Sequence, residues 1–215
     1  MWAPLRNNLK RLVFGAMPAS RFLRRGPSDR KRIALTFDDG PCPQTLEYLD
    51  LLDQLNVPAT FFVVGDRAER YPELIQQYIR RGHQVASHGY DHQRFSALTI
   101  AQLDDQLRRT ELAIGPQRTM QPWVRPPYGA MSVRSLTQMT ASGRVVAMWS
   151  FDSEDYSRQD AAELIARCTP TAIQPGEVVL FHEEQAWTYA ALPTIVKQLR
   201  DAGYEFATMA DLFGA

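Results

Sequence analysis

Short apolar runs alternate with amphipathic segments along the chain from residue 31 to its end. A run such as Ala-Thr-Phe-Phe-Val-Val at 59–64 is typical of a buried strand, whereas apolar residues at helical spacing indicate a helix. The pattern predicts strands at 32–37, 59–64, 83–87, 122–125, 144–151, 177–182 and 204–208. It predicts helices near 44–55, 67–81, 98–114, 132–141, 159–168 and 187–201. Because strands that alternate with helices form parallel sheets, we expect an α/β protein, either a doubly wound sheet or a barrel.

Polar residues follow the first, third, fourth, fifth and sixth of these predicted strands. In both architectures the functional loops leave the carboxyl ends of the parallel strands, so the candidate chemistry is expected on one rim. The residues are Asp38-Asp39, His88 to His92, Arg125, Asp152 to Asp155 and His182.

Two adjacent acids, Asp38 and Asp39, end the first strand and are followed by the turn residues Gly40-Pro41. Two carboxylates beside an apolar strand end repel each other. A fold that keeps both there therefore needs a compensating cation, which is a metal ion, an arginine or both. The alternative is a solvated Asp-Asp-Gly turn.

Two histidines, His88 and His92, lie four positions apart in a polar loop after the third strand. A helical or tightly looped backbone can bring both imidazoles onto one cation. With a carboxylate from another strand end they would supply zinc with three ligands and leave a position for water, whose pKa then falls toward about 7. The alternative is a pair of surface histidines. His83, which opens the third strand, is expected to be structural.

The composition, 45% hydrophobic over 215 residues, indicates one domain with a substantial core. The net charge of zero conceals an asymmetry, because residues 1–32 carry nine of the 24 basic side chains and one of the 24 acidic ones. The rest of the chain therefore has a net charge of −8. We divide the sequence into a basic N-terminal segment, 1–30, and a main domain, 31–215.

The basic segment interleaves its charges with leucine, valine and phenylalanine, which predicts an amphipathic helix. Such a helix packs on the body of the protein or docks through residues 1–28 on an anionic membrane; a leader or a misplaced start is a further alternative. The apolar run within the segment, residues 12–20, is a poor signal peptide and too short to span a bilayer. We therefore expect a cytoplasmic protein, peripheral to the membrane if the helix docks. Nucleic-acid binding is not expected, because no second basic patch with aromatic residues follows. Cys42 and Cys168 are expected to be reduced.

Five short segments at the predicted strand ends form an ordered set. They are Thr36-Phe37-Asp38-Asp39-Gly40, Ser87-His88-Gly89-Tyr90-Asp91-His92, Arg125-Pro126-Pro127-Tyr128-Gly129, Asp152-Ser153-Glu154-Asp155-Tyr156 and Leu180-Phe181-His182. In this order they resemble the signature motifs of the polysaccharide deacetylases of the nodulation-deacetylase (NodB) homology type, the family-four carbohydrate esterases. The resemblance covers about residues 31–210.

The resemblance implies a distorted, incompletely closed (β/α) barrel of seven or eight parallel strands. It also implies a metal-dependent hydrolase that removes acetyl groups, N-acetyl in the first place, from an amino-sugar-containing oligo- or polysaccharide. The implied cofactor is one divalent ion, zinc in the first place, with cobalt or another divalent ion as alternatives.

The resemblance also assigns roles to the polar residues. Asp38 would be the general base, and Arg125 would hold it as a carboxylate. Asp39, His88 and His92 would bind the metal ion.

The remaining roles concern the leaving group and the substrate. His182 would be the general acid, tuned by Asp155. Leu180 would line the pocket for the acetyl methyl group, and the Tyr128 backbone N–H would help to hold the oxyanion. Tyr156 stands where many members have tryptophan, which is expected to change how the sugar packs.

Two functions of other kinds stay open beside this one. The chain could be a catalytically silent sugar-binding or scaffold module that kept the barrel, or an amidohydrolase that acts on a small non-sugar amide.

Overall fold

The computed structural model describes residues 20–116 and 122–214, which form a sheet of parallel strands. The strands are β1 (Phe22–Leu23), β2 (Arg32–Asp38), β3 (Thr60–Val63), β4 (Gln84–Ser87), β5 (Trp123–Val124), β6 (Val145–Ala147), β7 (Phe151–Asp152), β8 (Val178–His182) and β9 (Glu205–Phe206). Eight strands follow the order β1-β6-β5-β4-β3-β2-β8-β7, and β9 pairs with β2 beside this path. Every pair of named strands is parallel, as the alternating pattern predicts.

Helices connect most of the strands. They are α1 (Thr45–Leu55), α2 (Gly65–Arg70), α3 (Pro72–Arg80), α4 (Ile100–Ile114), α5 (Val133–Ala141), α6 (Ala161–Arg167), α7 (Ala186–Asp201) and α8 (Met209–Phe213). The single helix predicted at 67–81 is wrong, because α2 and α3 meet at Tyr71. Pro72 lacks the N–H that would continue α2, and it disfavours helical backbone at the residue before it.

The single strand predicted at 144–151 is also wrong, and its division explains how the barrel forms. β6 and β7 lie near opposite ends of the strand order, although only Met148–Ser150 separates them. An extended chain spans at most about 14 Å over this interval, so the two ends of the sheet must curl toward each other. Among the described strands β1 and β7 do not pair, and the barrel stays open. The predicted distorted, incompletely closed (β/α) barrel is confirmed.

The end of the basic segment is part of the barrel. β1, which the sequence pattern did not predict, pairs with β6. Arg21 donates to the Gly143 carbonyl oxygen at 2.7 Å, and Arg24 donates to that of Trp149 at 3.2 Å. The amphipathic helix expected for this segment is wrong for residues 20–30, which form β1 and turns, and the rest of the expectation falls on residues 1–19, outside the described residues. Among the described residues, no helix is both long and apolar enough to cross a membrane.

Alternate residues of the strands face two different apolar layers. In β3, Phe61 packs toward the outer helices, 5.2 Å from Phe37 between ring centroids, whereas Phe62 belongs to the barrel interior. Met209 and Leu212 of α8 join the interior cluster, and the Met209 N–H donates to Thr60 Oγ1 at the start of β3. Because α8 fills the amino end of the barrel, the carboxyl end is left for an open cleft.

Candidate active site

A cleft of about 440 Å³ opens at the carboxyl end of the barrel. Eight of the ten predicted site residues line it: Asp38, Asp39, His88, His92, Tyr128, Tyr156, Leu180 and His182. The other two, Arg125 and Asp155, are fully buried and contact Asp38 and His182 respectively. The structure therefore brings all ten residues together.

Asp39, His88 and His92 form a group that can hold a metal ion. Their candidate ligand atoms all lie within 4.8 Å of one another. Asp39 Oδ1 is 3.0 Å from His92 Nε2 and 3.6 Å from His88 Nε2. Two imidazole nitrogens and one carboxylate oxygen suit zinc and similar divalent ions, and three protein ligands leave a coordination position open.

The orientation of His88 suits metal binding. Its Nδ1 is 2.8 Å from the Arg125 carbonyl oxygen. Since a carbonyl only accepts, Nδ1 carries the proton and Nε2 presents its lone pair to the group. Burial lowers the pKa of His88, although the neighbouring Asp38 and Asp39 oppose this shift. The ring is therefore neutral at neutral pH, as a metal ligand must be.

Asp39 carries a buried oxygen without a hydrogen-bond partner. The contact of Oδ1 with His92 is short, but its direction does not make a hydrogen bond among the described residues. Burial raises the pKa of Asp39, while the contact with His92 and the charges of His88 and His92 lower it more, leaving it well below its ordinary range. A buried, ionised oxygen without a partner is costly, and a cation beside it would remove that cost. These residues therefore fit a divalent ion.

The backbone around the cleft is unusual at three non-glycine residues. Asp39, His92 and Tyr128 have φ angles of 72°, 60° and 58°. Such left-handed conformations are uncommon for side-chain-bearing residues, and they occur often at functional sites. Here they bring one metal-ligand candidate from each of two loops, and an aromatic ring, to the same cleft.

Asp38 lies between the metal-ligand group and a buried arginine. Its Oδ1 is 2.6 Å from Arg125 Nη1, and its Oδ2 is 3.6 Å from His88 Nε2. The Arg125 guanidinium supplies the positive charge that the acid pair requires. In the β2–β8 register Asp38 is the direct partner of His182. The candidate base and the candidate acid therefore stand on neighbouring strands.

Arg125 is fixed by contacts on several sides. Nη1 also donates to Thr36 Oγ1 at 2.9 Å, while Nε and Nη2 donate to the carbonyl oxygens of Ala147 and Met148, each at 3.2 Å. The guanidinium lies 3.8 Å from the centroid of the Phe62 ring. A fully buried charge is tolerated only with pairing of this kind, so Arg125 holds Asp38 in a fixed position.

His182 is held by a buried carboxylate. Its Nδ1 is 2.7 Å from Asp155 Oδ1. Asp155 Oδ2 accepts hydrogen bonds from the His182 backbone N–H at 2.7 Å and from the Thr188 hydroxyl at 2.8 Å. Burial lowers the pKa of His182, but the bond to Asp155 and the charges of Asp155, Asp38 and Asp39 outweigh it and raise this pKa to about 9. At neutral pH His182 is therefore a protonated donor whose Nε2 remains for the cleft.

An exposed tyrosine stands on each side of the cleft. Tyr128 and Tyr156 are each 57% exposed. The Tyr128 ring is 4.6 Å from the His92 ring, and the Tyr156 ring is 5.8 Å from the His182 ring, measured between centroids. Leu180, in β8, adds an apolar side chain to the lining of the cleft. The cleft thus offers flat amphipathic surfaces on either side of the polar centre.

Four further lining residues were not singled out from the sequence. They are Arg94, Trp149, Glu184 and Gln185. Trp149 was hidden in the apolar run interpreted as one strand. For Arg94 the available signal was its place two residues after His92.

Glu183 is a fifth residue that sequence analysis missed. It is fully buried directly after His182, and its oxygens accept from the hydroxyls of Thr45 and Tyr78. A Cβ at position 40 would overlap Glu183 Oε2, which explains the glycine there. Glu183 therefore supports the turn that follows Asp39. The available signal was an acid at a buried strand end, as at Asp38-Asp39.

The sequence matches known proteins along most of its length. The model of the polysaccharide deacetylase family matches residues 25–147. The chain is 36% identical over 186 residues to the peptidoglycan-N-acetylglucosamine deacetylase PgdA of Listeria monocytogenes, covering 86% of this chain but only 39% of that protein. It is 33% identical over 189 residues to a chitooligosaccharide deacetylase of Sinorhizobium fredii, covering 80% of this chain and 87% of that protein.

The fold matches solved structures as well. The crystal structure of a peptidoglycan N-acetylglucosamine deacetylase gives a TM-score of 0.84 at 29% identity, over 90% of this chain and 93% of that chain. A family-four carbohydrate esterase pseudoenzyme from Bacillus anthracis gives 0.81 at 26% identity, over 91% and 69%. The second match shows that the fold alone does not decide activity.

The open parallel barrel with this polar cleft is that of the family-four carbohydrate esterases. The chain belongs to the polysaccharide deacetylase family. The prediction of that family from the five motifs is confirmed.

Proposed function

We propose that this protein is a metal-dependent deacetylase that removes N-acetyl groups from an amino-sugar-containing oligo- or polysaccharide. The observation that carries the proposal is the meeting of three groups in one cleft. These are the metal-ligand trio, the carboxylate of Asp38 held by Arg125, and His182 held by Asp155. Family membership supports the reaction class, and the exposed Tyr128 and Tyr156 support a sugar substrate.

Asp39, His88 and His92 would hold one divalent ion, zinc in the first place. Such an ion supplies Lewis acidity, which polarises an acetyl carbonyl and makes water a stronger acid. Asp38 accepts the proton of the water that attacks the acetyl carbon, and Arg125 keeps Asp38 in place during this step.

The Tyr128 backbone N–H donates a hydrogen bond to the carbonyl oxygen as negative charge develops on it. A donor of this kind contributes about 3–4 kcal/mol in other enzymes. His182 then gives its Nε2 proton to the leaving nitrogen, while Asp155 holds the opposite side of the ring. The products are acetate and a free amino sugar.

The test is acetate release by metal-free protein, with and without added zinc or cobalt. The substrates are N-acetylglucosamine oligomers, acetylated xylan and a set of small acetamides. Metal-dependent release from the oligomers is expected. Release from acetylated xylan alone would mean that the protein hydrolyses an ester and not an amide. Release from the small acetamides alone would mean that the substrate is not a sugar.

The silent module is the second candidate, because one structural relative is described as a pseudoenzyme. It predicts no acetate release from any substrate. Here Asp38, Asp39, His88, His92 and His182 all line the cleft, which favours an active protein. Protein that binds no zinc and releases no acetate would favour the silent module.

Membrane contact through residues 1–28 and a cytoplasmic location remain part of the proposal. Since β1 begins at Phe22, a deletion of residues 1–19 keeps every strand that the structure describes. If the segment docks on membranes, this deletion lowers sedimentation with anionic liposomes and leaves sedimentation with neutral liposomes unchanged. Equal sedimentation of both proteins with anionic liposomes would favour packing on the body.

A further inference from the structure

Arg94 is a cleft residue to which the proposed reaction gives no role. It is exposed, and its guanidinium carbon lies 4.2 Å from the centroid of the Tyr128 ring. His92 contacts the same ring, at 4.6 Å between centroids. Arg94 therefore lies close to a metal-ligand candidate, on the wall that a bound sugar would touch.

The guanidinium of Arg94 is held by stacking and not by an acid. Among the described residues, no carboxylate forms an ion pair with it. The neighbouring arginines differ, because Arg125 pairs with Asp38, and Arg67 pairs with Glu184 at 3.1 Å. A stacked guanidinium keeps its N–H groups at the edge of its plane, where they fit the two oxygens of a carboxylate or a phosphate.

The charges of the cleft are separated between its two sides. Arg94 follows β4, whereas Asp152 ends β7, and three strands lie between β4 and β7 in the sheet. Glu184 follows β8 but turns toward Asp39 and His92, where it is paired with Arg67. An anionic group on the substrate would therefore be repelled near Asp152 and attracted near Arg94.

We propose that Arg94 binds an oxyanion substituent, a carboxylate or a phosphate, on the sugar that is deacetylated or on the sugar attached to it. This inference rests on the proposed function for the identity of the ligand as a sugar. If the inference is correct, the substrate is an acidic glycan and Arg94 makes the protein prefer it over a neutral one.

The test is equilibrium binding, measured by calorimetry at low ionic strength on zinc-loaded protein. Every protein tested carries Asp38→Asn, which stops turnover of the probes, and the protein called native here keeps Arg94. The probes are the N-acetylglucosamine tetramer, its C6-carboxylate form and its C6-phosphate form. The variants are Arg94→Gln, Arg94→Lys and, as a matched control, Arg109→Gln. Arg109 also stacks on a tyrosine, with its guanidinium carbon 3.4 Å from the centroid of Tyr90, but it does not line the cleft.

The native protein is expected to bind at least one acidic tetramer about tenfold more tightly than the neutral one, because a charge-assisted hydrogen bond is stronger than a neutral one. Arg94→Gln should lose this ratio, Arg94→Lys should keep part of it, and Arg109→Gln should keep all of it. Salt should reduce the ratio in the native protein. The two acidic probes distinguish a carboxylate ligand from a phosphate ligand.

Two results would overturn the proposal: equal affinity of the native protein for all three tetramers, or an equal loss for all three in Arg94→Gln. The second result would mean that Arg94 only covers Tyr128. Because binding is measured, the outcome does not depend on turnover. Acetate release from the neutral tetramer tests the proposed function separately.

Discussion

The cleft has a metal side, around Asp39, and an acid side, around His182. Both lie at the ends of parallel strands, yet their polar groups are paired to different degrees. On the metal side, which follows β2 and β4, Asp39 Oδ1 is buried without a hydrogen bond among the described residues. Asp39 and His92 also have left-handed backbone. On the acid side, which follows β7 and β8, both oxygens of Asp155 accept hydrogen bonds.

This difference distinguishes a site that needs a ligand from one that is complete. The acid side can fix the protonation of His182 with groups of the chain alone. The metal side concentrates Asp38, Asp39 and two imidazoles, and within residues 20–116 and 122–214 a single arginine, Arg125, forms an ion pair with these acids. A divalent ion would supply the charge that this side lacks, so the two sides should respond separately to substitution.

The largest effect is expected from the metal side. His88→Ala leaves two ligands, so the protein should lose its metal ion and its activity together. Asp38→Asn keeps the three ligands and should keep the ion, while kcat falls by about 10²–10⁴ because the base is lost. Elemental analysis of both variants, beside acetate release, measures the separation.

The control for these two variants is a histidine away from the cleft. His83 lies at the start of β4, at the opposite end of the strand from His88, where its Nδ1 accepts from the Ala59 N–H at 3.1 Å. His83→Gln should keep its metal ion. Equal metal content in His88→Ala and Asp38→Asn would contradict the division of roles on the metal side.

A smaller, pH-dependent effect is expected from the acid side. The raised pKa of His182, about 9, makes it a proton donor that is lost as the pH rises through that value. Asp155→Asn removes the interaction that raises this pKa and keeps the burial that lowers it. The alkaline limb of kcat/KM should therefore move to lower pH, with metal content unchanged.

The profile is measured from pH 6 to 10 on metal-loaded protein. A bound cation lowers the pKa of His182 in every variant, so the comparison between variants carries the result. Asp152→Asn, on the same loop, removes an acid that does not contact His182 in the structure and should leave the limb near its native place. An unmoved limb in Asp155→Asn would mean that another group titrates there.

The same contrast explains how much of the fold the sequence predicted. The strands that carry Asp38 and His182 are long apolar runs, and their predicted bounds agree with β2 and β8 within one residue. The prediction of a single strand at 144–151 is wrong because Met148 and Trp149 are apolar for a reason other than strand formation. They bridge the open edges of the barrel and do not pair in the sheet, a difference that periodicity does not contain.

The candidate site was predicted where residue type and strand end coincide. Metal-ligand and acid-base candidates are rare residue types at marked positions, so Asp39, His88 and His182 could be found. Arg94 and Glu183 were missed because their signals are weak: an arginine in a polar loop and an acid after a strand occur widely in solvent-exposed places. Only the tertiary contacts with Tyr128 and Tyr78 distinguish them.

The smallest effect concerns Glu183, which joins the two sides by following His182 and supporting the turn after Asp39. Burial raises the pKa of Glu183 to about 7, although hydrogen bonds from Thr45 and Tyr78 lower it in part. Between its ordinary pKa and about 7, the unfolded chain has released this proton while the folded protein retains it. Folding stability should therefore fall as the pH rises across this window, by about 3 kcal/mol at most.

Glu183→Gln removes this titration while keeping a side chain of similar shape. The variant should gain stability relative to the native protein as the pH rises from 5 to 8. Urea unfolding in the presence of a chelator measures the difference without linkage to metal binding. Glu184→Gln, at the half-exposed neighbouring acid, is the control and should show no such gain. A stability difference for Glu183→Gln that does not vary with pH would mean that Glu183 is ionised throughout. In that case Glu183 would be a second buried negative charge beside the turn after Asp39. The excess of negative charge on the metal side would then include a residue that directly follows His182 on the acid side.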